Sequence, residues 1–162
     1  MIPFFPSSRV YLDTLGPADA DALAEIHGEG FPRPWLAGDF ASLIAGANVG
    51  AVGMRRQSPF GFSRLVGFVL YRHASDEAEI LSIAVRRSHR GRGHGRLLMD
   101  EALRRLYRDR IKTCFLEVDP GNEAAVSLYR KIGFEQVGSR KDYYKRPGGG
   151  AGSALILRLE LQ

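Results

Sequence analysis

Apolar residues recur along this chain with two periods, and each change of period marks an element. Positions 9–14 alternate, with Val10 and Leu12 on one face, and predict a first strand. Pro17 suits the start of a helix, where a missing N–H costs nothing, and Leu23 and Ile26 give that helix an apolar stripe. Leu36, Phe40, Leu43 and Ile44 follow at helical spacing and predict a second helix. Strands are expected at 48–54 and 65–71, separated by the turn-rich Gln57-Ser58-Pro59-Phe60-Gly61, and at 79–85.

The clearest helix spans 95–109, with Met99, Ala102, Leu103 and Leu106 on one face and Arg104, Arg105 and Arg108 toward water. Positions 113–118 read as a strand. Asn122 then caps a helix carrying Ala125, Leu128, Tyr129 and Ile132, which Gly133 stops. Strands at 134–138 and 154–161 close the chain, and residues 148–152 (GGGAG) form a flexible loop before the last one. The order β-α-α-β-β-β-α-β-α-β-β predicts an α/β fold with a mixed sheet and helices on its faces.

Composition changes this picture little. With 162 residues, 44% hydrophobic and 25% charged, the chain is expected to be one domain over 1–162, with residues 1–8 a flexible N-terminus. The opening MIPFFPSSRV has no basic start, and Pro3 and Pro6 interrupt its apolar stretch, so no signal peptide is expected. No run of about 18 apolar residues suggests a membrane span, and a soluble, cytoplasmic protein is expected. The single Cys114 excludes an internal disulfide framework. His27, His73, His89 and His94 lack metal-ligand spacing, so no metal is expected. Lys and Arg exceed Asp and Glu by 23 to 18. That excess suits an anionic ligand without choosing among coenzyme, nucleic acid and ribosome surface.

The most informative segment is Arg90-Gly91-Arg92-Gly93-His94-Gly95-Arg96, between strand 79–85 and helix 95–109. Alternate glycines let the backbone approach a ligand closely, and the helix that follows aims its unpaired N–H groups at the same place. Such a loop is built to hold a pyrophosphate on amides 91 to 96, with Arg90, Arg92 and Arg96 adding charge for a further phosphate. A Walker loop would end in Gly-Lys-Ser/Thr, and a dinucleotide fingerprint would place its third glycine at 96, which is Arg. A plain basic turn remains open, as does a nucleic-acid patch of Arg86, Arg87, Arg90, Arg92 and Arg96, although phosphodiester contacts do not need the glycine spacing.

Arg90-Gly91-Arg92-Gly93-His94-Gly95 resembles the coenzyme A motif of the GNAT acetyltransferase superfamily, Gln/Arg-x-x-Gly-x-Gly/Ala. A narrower resemblance is carried by Leu116-Glu117-Val118, Asn122, Ala125, Leu128-Tyr129, Gly133-Phe134, Phe31-x-x-Pro34-Trp35 and Arg140-x-x-Tyr143-Tyr144. These are similar to the bacterial ribosomal-protein-alanine N-acetyltransferases, in register from about residue 10 to 161. The resemblance implies a GNAT fold, a mostly antiparallel sheet of about seven strands flanked by about four helices. It implies acetyl-CoA as co-substrate, its pantetheine arm on the backbone of Ile83, Ala84 and Val85. It further implies Asn122 as a coenzyme contact, Glu117 as proton acceptor and Tyr129 as proton donor. The acceptor it implies is a protein N-terminus, the alanine of a small-subunit ribosomal protein. The Pro-Arg-Pro before Trp35 and the GGGAG segment depart from the family pattern where its substrate groove is expected.

The residues themselves are compatible with this chemistry. Strand alternation puts Glu117 with Thr113 and Phe115, on a partly apolar face where a carboxylate loses water and becomes a better base. A solvated strand glutamate is the plain alternative. Tyr129 falls on the inward stripe of its helix, as a core tyrosine also would, and Asn122 is equally an N-cap. Cys114 points away from Glu117 and reads as a buried thiol rather than a nucleophile. Trp35, Tyr143 and Tyr144 are candidates to line an acceptor groove, or to pack in the core or rim. No direct nucleic-acid or membrane contact is expected, and the chain is expected as a monomer or weak dimer. Two other functions stay open: acetylation of lysine side chains or small amines, and a coenzyme- or nucleic-acid-binding module without catalysis.

Overall fold

The computed structural model describes residues 8–145 and 151–162, with side chains for 8–141 and 153–162. Its strands are β1 (Arg9–Thr14), β2 (Val49–Gln57), β3 (Ser63–Ala74), β4 (Glu77–Val85), β5 (Thr113–Val118), β6 (Glu135–Lys145) and β7 (Ala151–Glu160). Its helices are α1 (Ala20–Gly30), α2 (Ala37–Ile44), α3 (His94–Arg108) and α4 (Glu123–Ile132). The strands make one seven-stranded sheet in the order β1-β2-β3-β4-β5-β7-β6. β1 runs antiparallel to β2, β5 to β7 and β6 to β7, whereas β4 and β5 are parallel over Glu77–Glu79 and Thr113–Phe115. The sheet is mixed and carries four helices, as the sequence pattern predicts.

By compactness the chain divides into two units, one reaching to Tyr71 and resuming over Ser82–Ala102, the other made of Arg72–Leu81 and Leu103–Gln162. In the first, Leu23 and Ile26 of α1, Phe40 of α2, Met54 of β2, Phe68 of β3 and Met99 of α3 are all buried. Phe40 meets Phe68 edge to face at 5.5 Å. Two glycines of β2 make room for this packing: a Cβ on Gly50 would lie 2.2 Å from the Tyr71 ring, and one on Gly53 2.6 Å from both Leu15 and Leu65. Arg55 of β2 ties down the start of the fold, donating to Asp13 of β1 at 2.8 Å and to Asp19 at 2.7 Å. Pro17 opens a short 3-10 turn, Pro17–Asp19, that leads into α1.

Leu36 departs from expectation. It stands at the N-cap of α2, 71% exposed, and of the four predicted stripe residues only Phe40 is fully buried. The Asp39 carboxylate accepts the Leu36 N–H at 2.9 Å, which starts the helix after Leu36 and leaves that side chain outside the first turn.

In the second unit, Leu103 and Leu106 of α3 and Ile111 are buried, together with Cys114, Leu116 and Val118 of β5 and Leu157 of β7. Phe115 and Glu117 are only half-buried, so the alternation along β5 is as predicted. The expected strands 134–138 and 154–161 are longer in the structure, as β6 and β7. The loop expected at 148–152 and the flexible N-terminus expected at 1–8 lie largely outside the described residues, although Ala151 and Gly152 belong to β7. Among the described residues, no helix is long and apolar enough to cross a membrane.

Candidate active site

The glycine loop lies in the first unit. Gly91 has φ +74° and Gly93 φ +81°, and a Cβ at either would meet nothing within 4 Å. Conformation, not crowding, therefore requires glycine at both positions. α3 begins at His94, with Leu97 N–H donating to Gly93 O at 3.2 Å. Among the described residues, no protein acceptor takes the N–H groups of Gly91, Arg92, Gly93, His94, Gly95 or Arg96. These amides stand at the positive end of a 15-residue helix, an arrangement suited to an anion.

The arginines around the loop divide by role. Arg86 is buried, donates to Leu65 O at 2.7 Å and forms ion pairs with Glu25 and Glu29 of α1. Arg87 holds the same Glu29, through its N–H at 2.7 Å and its guanidinium to the backbone carbonyl at 2.8 Å. These two pin the end of β4 to α1; Arg86 is thereby withdrawn from any basic patch, while Arg87 stays exposed with no carboxylate on its guanidinium among the described residues. Arg90 donates to Val85 O at 3.0 Å, and Arg96 pairs with Asp100 at 2.9 Å. Arg92 is exposed and has no ion pair among the described residues. Exposed Arg90 likewise has no ion pair among the described residues, so both cations are open to a ligand.

His94 is buried, its Nδ1 finds no partner among the described residues, and its ring lies 6.2 Å from that of His89. Burial, and then Arg92, lower its pKa, so His94 brings the loop an amide and no charge. Ile83, Ala84 and Val85 are half-buried at the end of β4. Gly67 allows the close approach there, since a Cβ on it would sit 3.1 Å from Ala84 O.

Trp35 is held from beneath by a residue to which sequence reasoning gave no role. Its N–H donates to His27 Nδ1 at 3.0 Å, and the His27 ring stacks on Phe31 at 4.0 Å and on Trp35 at 5.1 Å. Burial pushes His27 down to about 4, so it is neutral at pH 7, with its proton on Nε2 and Nδ1 accepting. A histidine eight residues before a tryptophan carries no local signal of this contact.

The second unit holds Glu117, Tyr129 and Asn122. Glu117 faces Ile156 in the β5–β7 ladder, and its Oε1 lies 3.2 Å from the Arg140 guanidinium of β6. Arg140 was visible only as a motif letter; its pairing with Glu117 arises because both β5 and β6 flank β7. Tyr129 is buried on α4, edge to face with Phe134 at 6.0 Å. Asn122 Oδ1 accepts Ala125 N–H at 3.2 Å, and Gly133 ends the helix at φ +118°, so both caps are where the sequence predicts them. Cys114 is fully buried, its thiol pushed up to about 12 by burial and by Glu79. At neutral pH it carries no thiolate and is no nucleophile. The side chains of Tyr143 and Tyr144 lie outside the described residues, although both positions belong to β6. Among the described residues, no group of three His, Cys, Asp or Glu is placed to hold a metal.

Comparison with known proteins agrees with the loop and its flanking elements. The profile of the Acetyltransferase (GNAT) family matches residues 20–134. An uncharacterized protein of Mycobacterium leprae is 36% identical over 159 residues, 94% of this chain; the chain spans 41% of that protein's length. The N-alpha-acetyltransferase RimI of Mycobacterium tuberculosis is 34% identical over 148 residues, covering 88% of this chain and 89% of its own. Among solved structures, the ribosomal-protein-S18-alanine N-acetyltransferase of Escherichia coli superposes with a TM-score of 0.85 at 26% identity, over 94% of each chain.

Proposed function

This chain belongs to the acetyltransferase (GNAT) family, and from that premise we propose that it transfers the acetyl group of acetyl-CoA to the N-terminal alanine amine of a ribosomal protein. The observation that carries the reading is the cluster of uncapped amides at 91–96, opened by two left-handed glycines at the head of α3. A diphosphate satisfies such donors, and the exposed Arg92 is placed to take a further phosphate. The backbone of Ile83, Ala84 and Val85 extends that surface to a pantetheine arm, and Asn122 adds a contact while still capping α4.

Bound acetyl-CoA supplies an activated thioester, so the chain has three tasks left: deprotonate the amine, place it, and return a proton to the leaving thiolate. Glu117 accepts the amine's proton through Oε2, while Arg140 holds the carboxylate by Oε1. An α-amine ionises near 7.7–8.0 and a lysine near 10.4, so a carboxylate, directly or through one water, is adequate for the first. Tyr129 gives its hydroxyl proton to the thiolate. With Cys114 buried and protonated, transfer is direct, without an acyl-enzyme. Trp35, steadied by His27, borders the acceptor. The ribosomal acceptor is supported by the name of the Escherichia coli enzyme whose structure this chain resembles, and it puts the reaction in the cytoplasm.

Mass spectrometry after incubation with acetyl-CoA and three acceptor sets tests this: alanine-terminated peptides, N-blocked lysine peptides and polyamines. The α-amine of alanine is the expected acceptor, and modification of lysine side chains alone overturns the assignment. Glu117→Gln is expected to lower kcat by about 100-fold with coenzyme binding intact. Unchanged turnover at neutral pH removes Glu117 from its role.

A further inference from the structure

β1 lies at one end of the sheet order, so among the described residues one of its edges has no neighbouring strand. Proteins ordinarily block such an edge with proline, a bulge or repelling charges. β1 has no proline, and its register with β2 is unbroken from Arg9↔Gln57 to Thr14↔Val52. At the other end of the order, β6 is interrupted at Gln136/Gly138 and again at Arg140/Tyr144. β1 is thus a regular strand with an open edge, and its apolar Val10 and Leu12 are 45% and 37% exposed.

Its sequence is complementary to itself. Read from Arg9 to Asp13 (RVYLD), the two charges are opposite in sign and equally distant from Tyr11. We propose that this edge is a self-pairing surface, on which two copies of the chain join as an antiparallel β1–β1 pair about a twofold axis at Tyr11. Arg9 of each copy then faces Asp13 of the other, and Val10 faces Leu12 on the opposite side of the sheet. Moving the axis to Val10 or Leu12 loses both ion pairs, so charge selects one register.

Hydrogen-bond parity allows that register. Leu15 N–H donates to Ala51 O at 2.9 Å, next in line after Thr14↔Val52. Alternation then turns the N–H and C=O of Tyr11 and Asp13 toward β2 and those of Val10 and Leu12 outward. Pairing about Tyr11 sets Val10 against Leu12, outward groups against outward groups. Tyr11 itself leaves room at the axis, because its hydroxyl bonds Ser63 Oγ at 3.1 Å, across β2. Asp13 receives Arg55 on Oδ2, leaving Oδ1 for the second copy. A six-residue edge makes a small interface, so the association is weak and reversible.

Sedimentation velocity on the full chain, from about 1 µM to about 1 mM, is expected to show a monomer–dimer equilibrium. Arg9→Asp places acid opposite acid and is expected to raise the dissociation constant roughly tenfold or more. Asp13→Arg should do the same with two bases, and an equimolar mixture of the two variants should associate again, since each end then sets a base against an acid. Monomer at every concentration overturns the proposal, as does a dimer indifferent to Arg9→Asp or a mixture that stays apart. Circular dichroism checks the fold of each variant. Should Asp13→Arg unfold through loss of the Arg55 contact, Arg9→Asp decides alone, because Arg9 has no ion pair to lose among the described residues.

Discussion

A buried neutral histidine makes stability depend on pH in a direction that can be worked out. His27 ionises near 6.5 when exposed to water and at about 4 in the fold, because burial penalises the cation. Between those values the unfolded chain binds the extra proton. His27 therefore contributes fully above about pH 6.5, and its contribution is lost as pH falls toward 4. His89 and His94 are lowered for the same first reason, burial, and add to the slope. His27→Gln keeps an acceptor for Trp35 N–H and removes one titration. Its melting temperature is expected to fall about 2–4 °C less than that of the wild type between pH 7 and 4.5, by scanning calorimetry. Equal slopes would assign the acid sensitivity to other groups. No motif flagged this residue, since a lone histidine with no metal spacing looks alike in a core and on a surface.

At the level of elements, glycines with two different duties predict opposite outcomes for one substitution. Gly91→Ala meets no atom but puts a Cβ on a left-handed residue, at roughly 1–2 kcal/mol. Backbone relaxation would re-aim the amides, so coenzyme affinity is expected to fall at least about tenfold, with a modest loss of stability. Gly50→Ala drives a Cβ into the Tyr71 ring and should cost about 1–3 kcal/mol of stability, with affinity retained. Calorimetric titration beside thermal melts separates the two. The glycine pattern of the loop was readable because positive φ and close approach are local demands. Strand ends were less so: β3 runs three residues past its predicted end to Ala74, and β6 runs on through Arg140 and Lys141 to Lys145. Ladder pairing carries polar residues that the hydrophobic alternation does not include.

For the molecule as a whole, ligand binding and charge give the broadest check. Coenzyme A at about 100 times its dissociation constant stabilises a folded receptor by about 2.7 kcal/mol, here roughly 5–10 °C. With the coenzyme's phosphates proposed to lie on the loop and a net charge of +5 on the chain, that shift should shrink as salt rises. No shift at saturating coenzyme A at low salt would count against the family chemistry for this chain. The α/β order, the sheet of seven strands and both α4 caps were legible from periodicity and turn chemistry.

What the chain determines by itself is whatever depends on neighbours within a turn or two: the strand and helix periods, the glycine loop at the head of α3, the Asn122 and Gly133 caps, the parity that sets Cys114 opposite Glu117. Only tertiary structure decided which charges are available. Arg86 is buried and paired with α1 while Arg92 is exposed without an ion pair among the described residues, Glu117 is held by an arginine from β6, and Trp35 rests on His27. Those pairings join residues far apart in sequence, and their partners are chosen by strand order and burial, which no local pattern encodes.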